Sequence, residues 1–244
     1  MVVIIGGIFW DQIFYGKPPH YEELIECPGG SALNVSVALK LLGHEVGLIG
    51  NVGNDVRGDE ILRFLREIGV SFLGERKGKT GVFVSSNEKE VLGVYRGANL
   101  SQFSTDPPEA ELYFLTMEMG LKNFERIKEK LKGRKLIVDA FPLKRFEFEQ
   151  DVFVIANEGF QGRANIFKLG EKGAIWGDIF GSVRKKGNFP LATGDAFDAV
   201  IIDGILKGMD EKSILKKAVE IAEMVSSIKG TSVAIQKVFG GIEL

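Results

Sequence analysis

Gly29-Gly30-Ser31-Ala32-Leu33-Asn34-Val35-Ser36-Val37-Ala38-Leu39-Lys40-Leu41-Leu42-Gly43, followed closely by Val46-Gly47-Leu48-Ile49, is the stretch from which the fold is read. The paired glycines and Ser31 open a helix in which Leu33, Val37 and Leu41 share a face, with Val35, Leu39 and Leu42 beside them. Gly43 stops it, and the four apolar residues after His44-Glu45 make a short strand. Upstream, Val2-Val3-Ile4-Ile5 ahead of Gly6-Gly7 reads as a buried strand. Downstream, residues 55–68 form an amphipathic pattern, with Ile61, Leu62, Leu65 and Ile68 at helical spacing and Gly69 as the stop. Strand, helix, strand, helix is the signature of a mostly parallel sheet covered on both faces.

The alternation is interrupted once. Gly81-Val82-Phe83-Val84-Ser85 and Val91-Leu92-Gly93-Val94-Tyr95 flank the polar turn Ser86-Asn87-Glu88-Lys89, which reads as a β-hairpin. Residues 12–27 are polar and contain Lys17-Pro18-Pro19, so they read as extended or loop chain. These segments, about 12–27 and 72–98, are expected to form a small sheet standing off one domain that spans 1–244. The rhythm then resumes with strands at 112–116, 135–139 and 151–155 and a helix at 121–131. A strand-rich passage at 166–184 follows, then a helix after Gly194 and a last helix at 211–228. Ligands of such sheets sit at the carboxyl ends of the strands, where Asp139, Asn157 and Asp195 cluster with the glycine turns.

Composition narrows the class. The chain has 244 residues, 45% hydrophobic and 26% charged, an ordinary soluble balance. A net charge of −2 gives no basic field for nucleic acid. No apolar run reaches the ~18 residues that would suggest a membrane span. Cys27 is the only cysteine, which excludes an internal disulfide; with no basic leader ahead of Val2, a cytoplasmic location is expected.

Leu191-Ala192-Thr193-Gly194-Asp195-Ala196-Phe197-Asp198 carries the chemistry. A tight turn at a helix start points several N–H groups at an anion under the positive end of the helix dipole. Asp195 sets a carboxylate beside that anion site, the equipment for moving a phosphoryl group onto a hydroxyl. On local sequence alone, a capped helix whose Asp satisfies its own amides explains the stretch as well.

Four blocks make the chain resemble the ribokinase-like (PfkB) family of carbohydrate and nucleoside kinases. They are Gly6-Gly7-Ile8-Phe9-Trp10-Asp11; Pro28 to Val35 with Leu42-Gly43, Ile49 to Asp55, Gly58 and Gly69-Val70; Tyr95-Arg96-Gly97-Ala98-Asn99-Leu100; and Leu169-Gly170-Glu171-Lys172-Gly173-Ala174 with Thr193 to Phe197. The resemblance implies a three-layer α/β/α ribokinase-like fold with a central mostly parallel sheet and a small β-sheet lid. It implies Asp195 as the base, with the turn from Ala192 through Thr193 and Gly194 as the anion hole. Asp11, Gly30, Asn34, Arg96 and Glu118 would line the acceptor site. Gly170 and Gly173 would lie under the nucleotide phosphates, and Asn157 with Glu158 would face magnesium. ATP and Mg²⁺ are the implied cofactors, and a sugar, polyol or nucleoside the acceptor. Pairing of Val82, Val84, Val91 and Leu92 across a homodimer is the expectation for the hairpin.

The departures from the family pattern fall on the donor side. Phe189-Pro190-Leu191 stands where relatives carry the Asp-Thr that helps hold a monovalent cation, which weakens the expectation of one. Ala192 replaces the first glycine of the anion hole and serves it only with a negative φ. The Asn-x-x-Glu magnesium motif reads Asn157-Glu158-Gly159-Phe160, and the chain from Asn157 to Leu169 is too short for the usual flanking helix. The expected function is ATP-dependent phosphorylation of a hydroxyl; the alternative is a weakened homologue that binds sugar or nucleotide without turnover. A dinucleotide oxidoreductase is disfavoured because no Gly-x-Gly-x-x-Gly follows the first strand.

Overall fold

In the computed structural model, which describes residues 1–241, the chain opens with β1 (Val2–Ile5), β2 (Phe9–Lys17), β3 (His20–Gly29), α1 (Ser31–Leu41), β4 (Val46–Ile49), β5 (Asn51–Val52) and α2 (Val56–Ile68). It continues through β6 (Ser71–Phe72), β7 (Glu75–Arg76), β8 (Gly81–Ser86), β9 (Glu90–Tyr95), β10 (Leu112–Thr116), α3 (Leu121–Lys130), β11 (Leu136–Asp139) and β12 (Phe153–Asn157). It closes with β13 (Ile166–Lys168), β14 (Gly173–Trp176), β15 (Ile179–Ser182), α4 (Thr193–Leu206), α5 (Glu211–Val225) and α6 (Ser232–Phe239).

Among the described residues, nine strands form the main sheet in the order β15-β14-β13-β12-β11-β10-β1-β4-β6. Every pairing from β6 to β13 is parallel, and β14 and β15 add an antiparallel edge. Because side chains alternate across a strand, β1 sends Val2 and Ile4 into one core and Val3 and Ile5 into the other. The first core is roofed by α1, α4, α5 and α6, and the second by α3 through Phe124 and Ile127. α1 and α4 are apolar nearly all round because they are buried between other helices and the sheet.

A second sheet, β3-β2-β8-β9, stands over the carboxyl ends of the main strands. Its extent differs from the sequence reading. Residues 12–27 are two long paired strands rather than loop, and they begin earlier, at Phe9. Residues 71–76 instead make short parallel pairs with β4 and β5. The expected last helix ends at Val225 instead of residue 228, and a further helix, α6, follows it. Its eight residues start after Lys229-Gly230-Thr231, a turn that masks so short an apolar pattern.

Candidate active site

Strands β11, β12 and β13 end in Asp139, Asn157 and Lys168, and these ends converge on one cavity of about 760 Å³ roofed by the second sheet. Asp11, Gly30, Asn34, Arg96, Glu118, Asn157, Glu158, Gly170, Ala192, Thr193, Gly194 and Asp195 all line it. Gly173 is not among the lining residues. A side chain there would collide with the Gly181 carbonyl oxygen at 1.9 Å, so its glycine serves the β14–β15 pairing.

The acceptor end is built around the start of α1. Gly30 adopts φ +91°, and a Cβ there would lie 2.6 Å from the Gly7 carbonyl oxygen, so only glycine joins β3 to α1 at this point. The Ser31 amide donates to Glu118 Oε2 at 2.9 Å. Burial, reinforced by the Asp195 carboxylate, pushes Glu118 up to about 8 against that hydrogen bond. Asp11 lies within β2 rather than at a strand end; it is buried, and burial pushes it up to about 7. The Thr231 hydroxyl donates to its Oδ2 at 2.6 Å and opposes the shift. The Arg96 guanidinium donates to the Glu118 carbonyl oxygen.

Asp195 stands between the two ends of the cavity. Asn34 Nδ2 donates to its Oδ2 at 2.7 Å, fixing the carboxylate, while Asn34 Oδ1 is buried without a protein partner. Burial raises the pKa of Asp195, and the Asn34 amide and the Lys168 ammonium pull it back. No side chain among the described residues caps α4, so the first-turn amides of Thr193, Gly194 and Asp195 have no capping partner. Ala192 ahead of them has φ +58°, not the negative φ expected of an alanine. The turn keeps the left-handed geometry that glycine adopts freely, and the alanine is strained into it.

Three polar side chains here went unread in the sequence. Lys168 Nζ is 3.1 and 3.2 Å from the two Asp198 carboxylate oxygens and 3.3 Å from Asp139 Oδ2. It also lies 3.5 Å from where a Cβ on Gly194 would sit, so a buried ammonium underlies the α4 turn. Burial alone would lower the Lys168 pKa, but Asp139 and Asp198 reverse that and raise it. Asp198 was legible in principle, since it lies one turn after Asp195 in an otherwise apolar run. A lysine closing the short strand Ile166–Lys168 just before Leu169-Gly170 was a second signal. Thr231 offered none.

At the donor end, Asn157 and Glu158 line the wall, and Glu158 Oε1 is held by Lys172 Nζ at 2.7 Å. Phe160, in the motif's glutamate position, turns away and packs on Phe148, beside Phe124 and Phe146. β12 passes to β13 without a helix, so this end stays open.

The profile of pfkB family carbohydrate kinases matches residues 4–118. That match covers the first half of the chain, and the fold is ribokinase-like throughout. It is 24% identical to a deoxyribokinase of Salmonella typhi over 286 aligned positions, covering 94% of each chain. Among solved structures it superposes on a ribokinase of Cryptococcus neoformans in complex with ADP (TM-score 0.77, 16% identity, 96% of each chain). It superposes equally on a Burkholderia thailandensis nucleoside kinase in complex with inosine (TM-score 0.77, 18% identity, 98% of this chain and 97% of that one).

Proposed function

We propose that this kinase transfers the γ-phosphoryl group of ATP to a hydroxyl of a sugar, polyol or nucleoside, with Asp195 as the general base. One observation carries the reading. Asp195, anchored by Asn34, lies at the start of α4 in the same cavity as Asp11 and Glu118. In the reaction the acceptor O–H gives its proton to the Asp195 carboxylate as its oxygen bonds to the γ-phosphorus. The bond from that phosphorus to the bridging oxygen breaks, and ADP leaves with the electron pair. The amides of Ala192 to Asp195 receive the negative charge that spreads over the phosphoryl oxygens. Lys168, beneath Gly194, adds fixed positive charge to the same turn.

Acceptor hydroxyls meet Asp11, Asn34 and Glu118, which line the cavity, a set that reads a polyhydroxylated molecule by hydrogen bonds. The second sheet serves as a lid, placing Phe9, Phe83, Val91 and Val94 over the cavity so that water is kept from the phosphoryl group. Asn157 and Glu158 offer two oxygen donors at the donor end, which fits a magnesium ion arriving on the nucleotide phosphates. That ion, when bound, would neutralise phosphate charge. The ADP and inosine of the solved relatives support a nucleotide donor and a sugar-containing acceptor.

The test is a screen of ribose, 2-deoxyribose, other sugars, polyols and nucleosides against ATP, ADP and GTP. A phosphate ester formed with ATP is the expected product. Calorimetry that finds sugar binding with neither nucleotide binding nor turnover would replace this reading with that of a binding protein.

A further inference from the structure

The tip of the β8–β9 hairpin reads in sequence as a solvated polar turn, yet Glu88 within it is 3% exposed. Asn87 and Glu88 both take positive φ, +49° and +58°, between the Lys89 amide and the Ser86 carbonyl oxygen it bonds at 3.0 Å. Two successive left-handed residues closed by that bond make the turn geometry that favours Asn-Gly. Asn87 suits it and clamps Gly16 of β2 with both ends of its side-chain amide, at 2.9 and 3.0 Å. Glutamate does not suit the second position. A residue held there against its backbone preference points to a task for its side chain.

The side chain reaches two distant turns at once. Glu88 Oε1 accepts from the Tyr15 hydroxyl and from the Gly230 amide at 2.8 Å, and Oε2 accepts from the Leu191 amide at 3.2 Å. Leu191 immediately precedes the strained Ala192 that opens α4, and Gly230 immediately precedes Thr231, whose hydroxyl holds Asp11. Around this junction Phe189 meets the Tyr15 ring edge-on at 6.0 Å, and Lys229 Nζ lies 4.5 Å from that ring's centre. Glu88 itself does not line the cavity.

We infer that Glu88 is a positioning residue: its carboxylate ties the hairpin covering the site to the phosphoryl-binding turn at Leu191–Asp195 and to the Thr231 turn beneath Asp11. Docking the hairpin thereby sets the direction of the α4 amides, a task for which the alanine at 192 leaves little local help. This rests on the kinase reading for its effect on rate, but the tie is a property of the fold.

Glycine separates this role from that of a turn filler, because Glu88→Gly relaxes the hairpin turn while removing the carboxylate. Wild type, Glu88→Gly and Glu88→Gln are compared with 2-deoxyribose and ATP as the probe pair, and by hydrogen exchange of the substrate-free proteins. Loss of charged hydrogen bonds to two amides predicts that Glu88→Gly lowers kcat by about 10- to 100-fold, with KM for the sugar within about threefold. Exchange at Leu191 and Gly230 should rise by a similar factor, and Glu88→Gln, which keeps an acceptor oxygen, should recover much of both. Unchanged exchange at Leu191 and Gly230 in Glu88→Gly overturns the tie, and an unchanged kcat overturns its role in positioning. The exchange arm needs no substrate, so it judges the tie even where a blank wild-type assay would overturn the kinase reading alone.

Discussion

At the scale of single residues, the site departs from local backbone preference at two non-glycine positions beside it, Glu88 and Ala192. An alanine at φ +58° bears a left-handed penalty of roughly 1–2 kcal/mol. Replacing it by glycine removes that penalty and adds roughly 0.4–1 kcal/mol of unfolded-state entropy. Relief of the strain outweighs that entropy, so Ala192→Gly should raise stability by about 0.5–1 kcal/mol, read as a Tm increase of roughly 1–4 °C. A lower Tm would mean that the methyl group of Ala192, which packs at the edge of the first core, outweighs the strain. The carboxylate of Asp195, the proposed base, was legible in the sequence as the acid of a glycine turn at a helix start. Its neighbour Lys168 was not, because the pairing that defines it joins residues 30 positions apart on β13 and α4.

At the scale of elements, the main strands and α1 to α5 follow from hydrophobic periodicity, since each is buried on a face or stripe that the pattern marks. β2 and β3 escaped because half of the β2–β3 ribbon faces solvent, where Glu22, Glu23 and Lys17 hide the period of two. The meeting of one strand end with one helix start has a pH signature. Glu118, after β10, does not present a full negative charge to the α1 amides, because burial lifts it from 4.5 to about 8. Between those values the unfolded chain ionises this group while the folded chain keeps the proton. The folded state then binds more protons, so this group's contribution to stability falls as pH rises from about 4.5 to about 8. Asp11, lifted to about 7, acts in the same direction. Between pH 5.5 and pH 8.5 the urea unfolding midpoint should therefore fall in the wild type and fall less in Glu118→Gln, which keeps an acceptor for Ser31. Equal falls in both proteins would show that Glu118 titrates normally.

At the scale of the whole molecule, α4 is tied near both ends, by Asn34 of α1 to Asp195 at 2.7 Å and by His44, in the turn after α1, whose Nε2 lies 2.8 Å from Asp203 Oδ1. The first tie lies in the cavity and the second away from it, so the helix that carries Asp195, the proposed base, is fixed against the helix that carries Asn34. The acceptor half retains the polar set that the family resemblance implies. The donor half has exchanged a motif glutamate for Phe160, which joins an aromatic core, and has lost the helix between β12 and β13. In the proposed reaction the α4 turn, Lys168 and Asp195 are left to move the phosphoryl group. The most direct measurement is phosphotransfer from ATP by Asp195→Asn beside calorimetric binding of the acceptor found in the screen. Loss of the base with retention of shape predicts a kcat lowered by at least about 10³-fold, with acceptor affinity within a few-fold of wild type. Turnover at the wild-type rate in Asp195→Asn would contradict the assignment of Asp195 as the base.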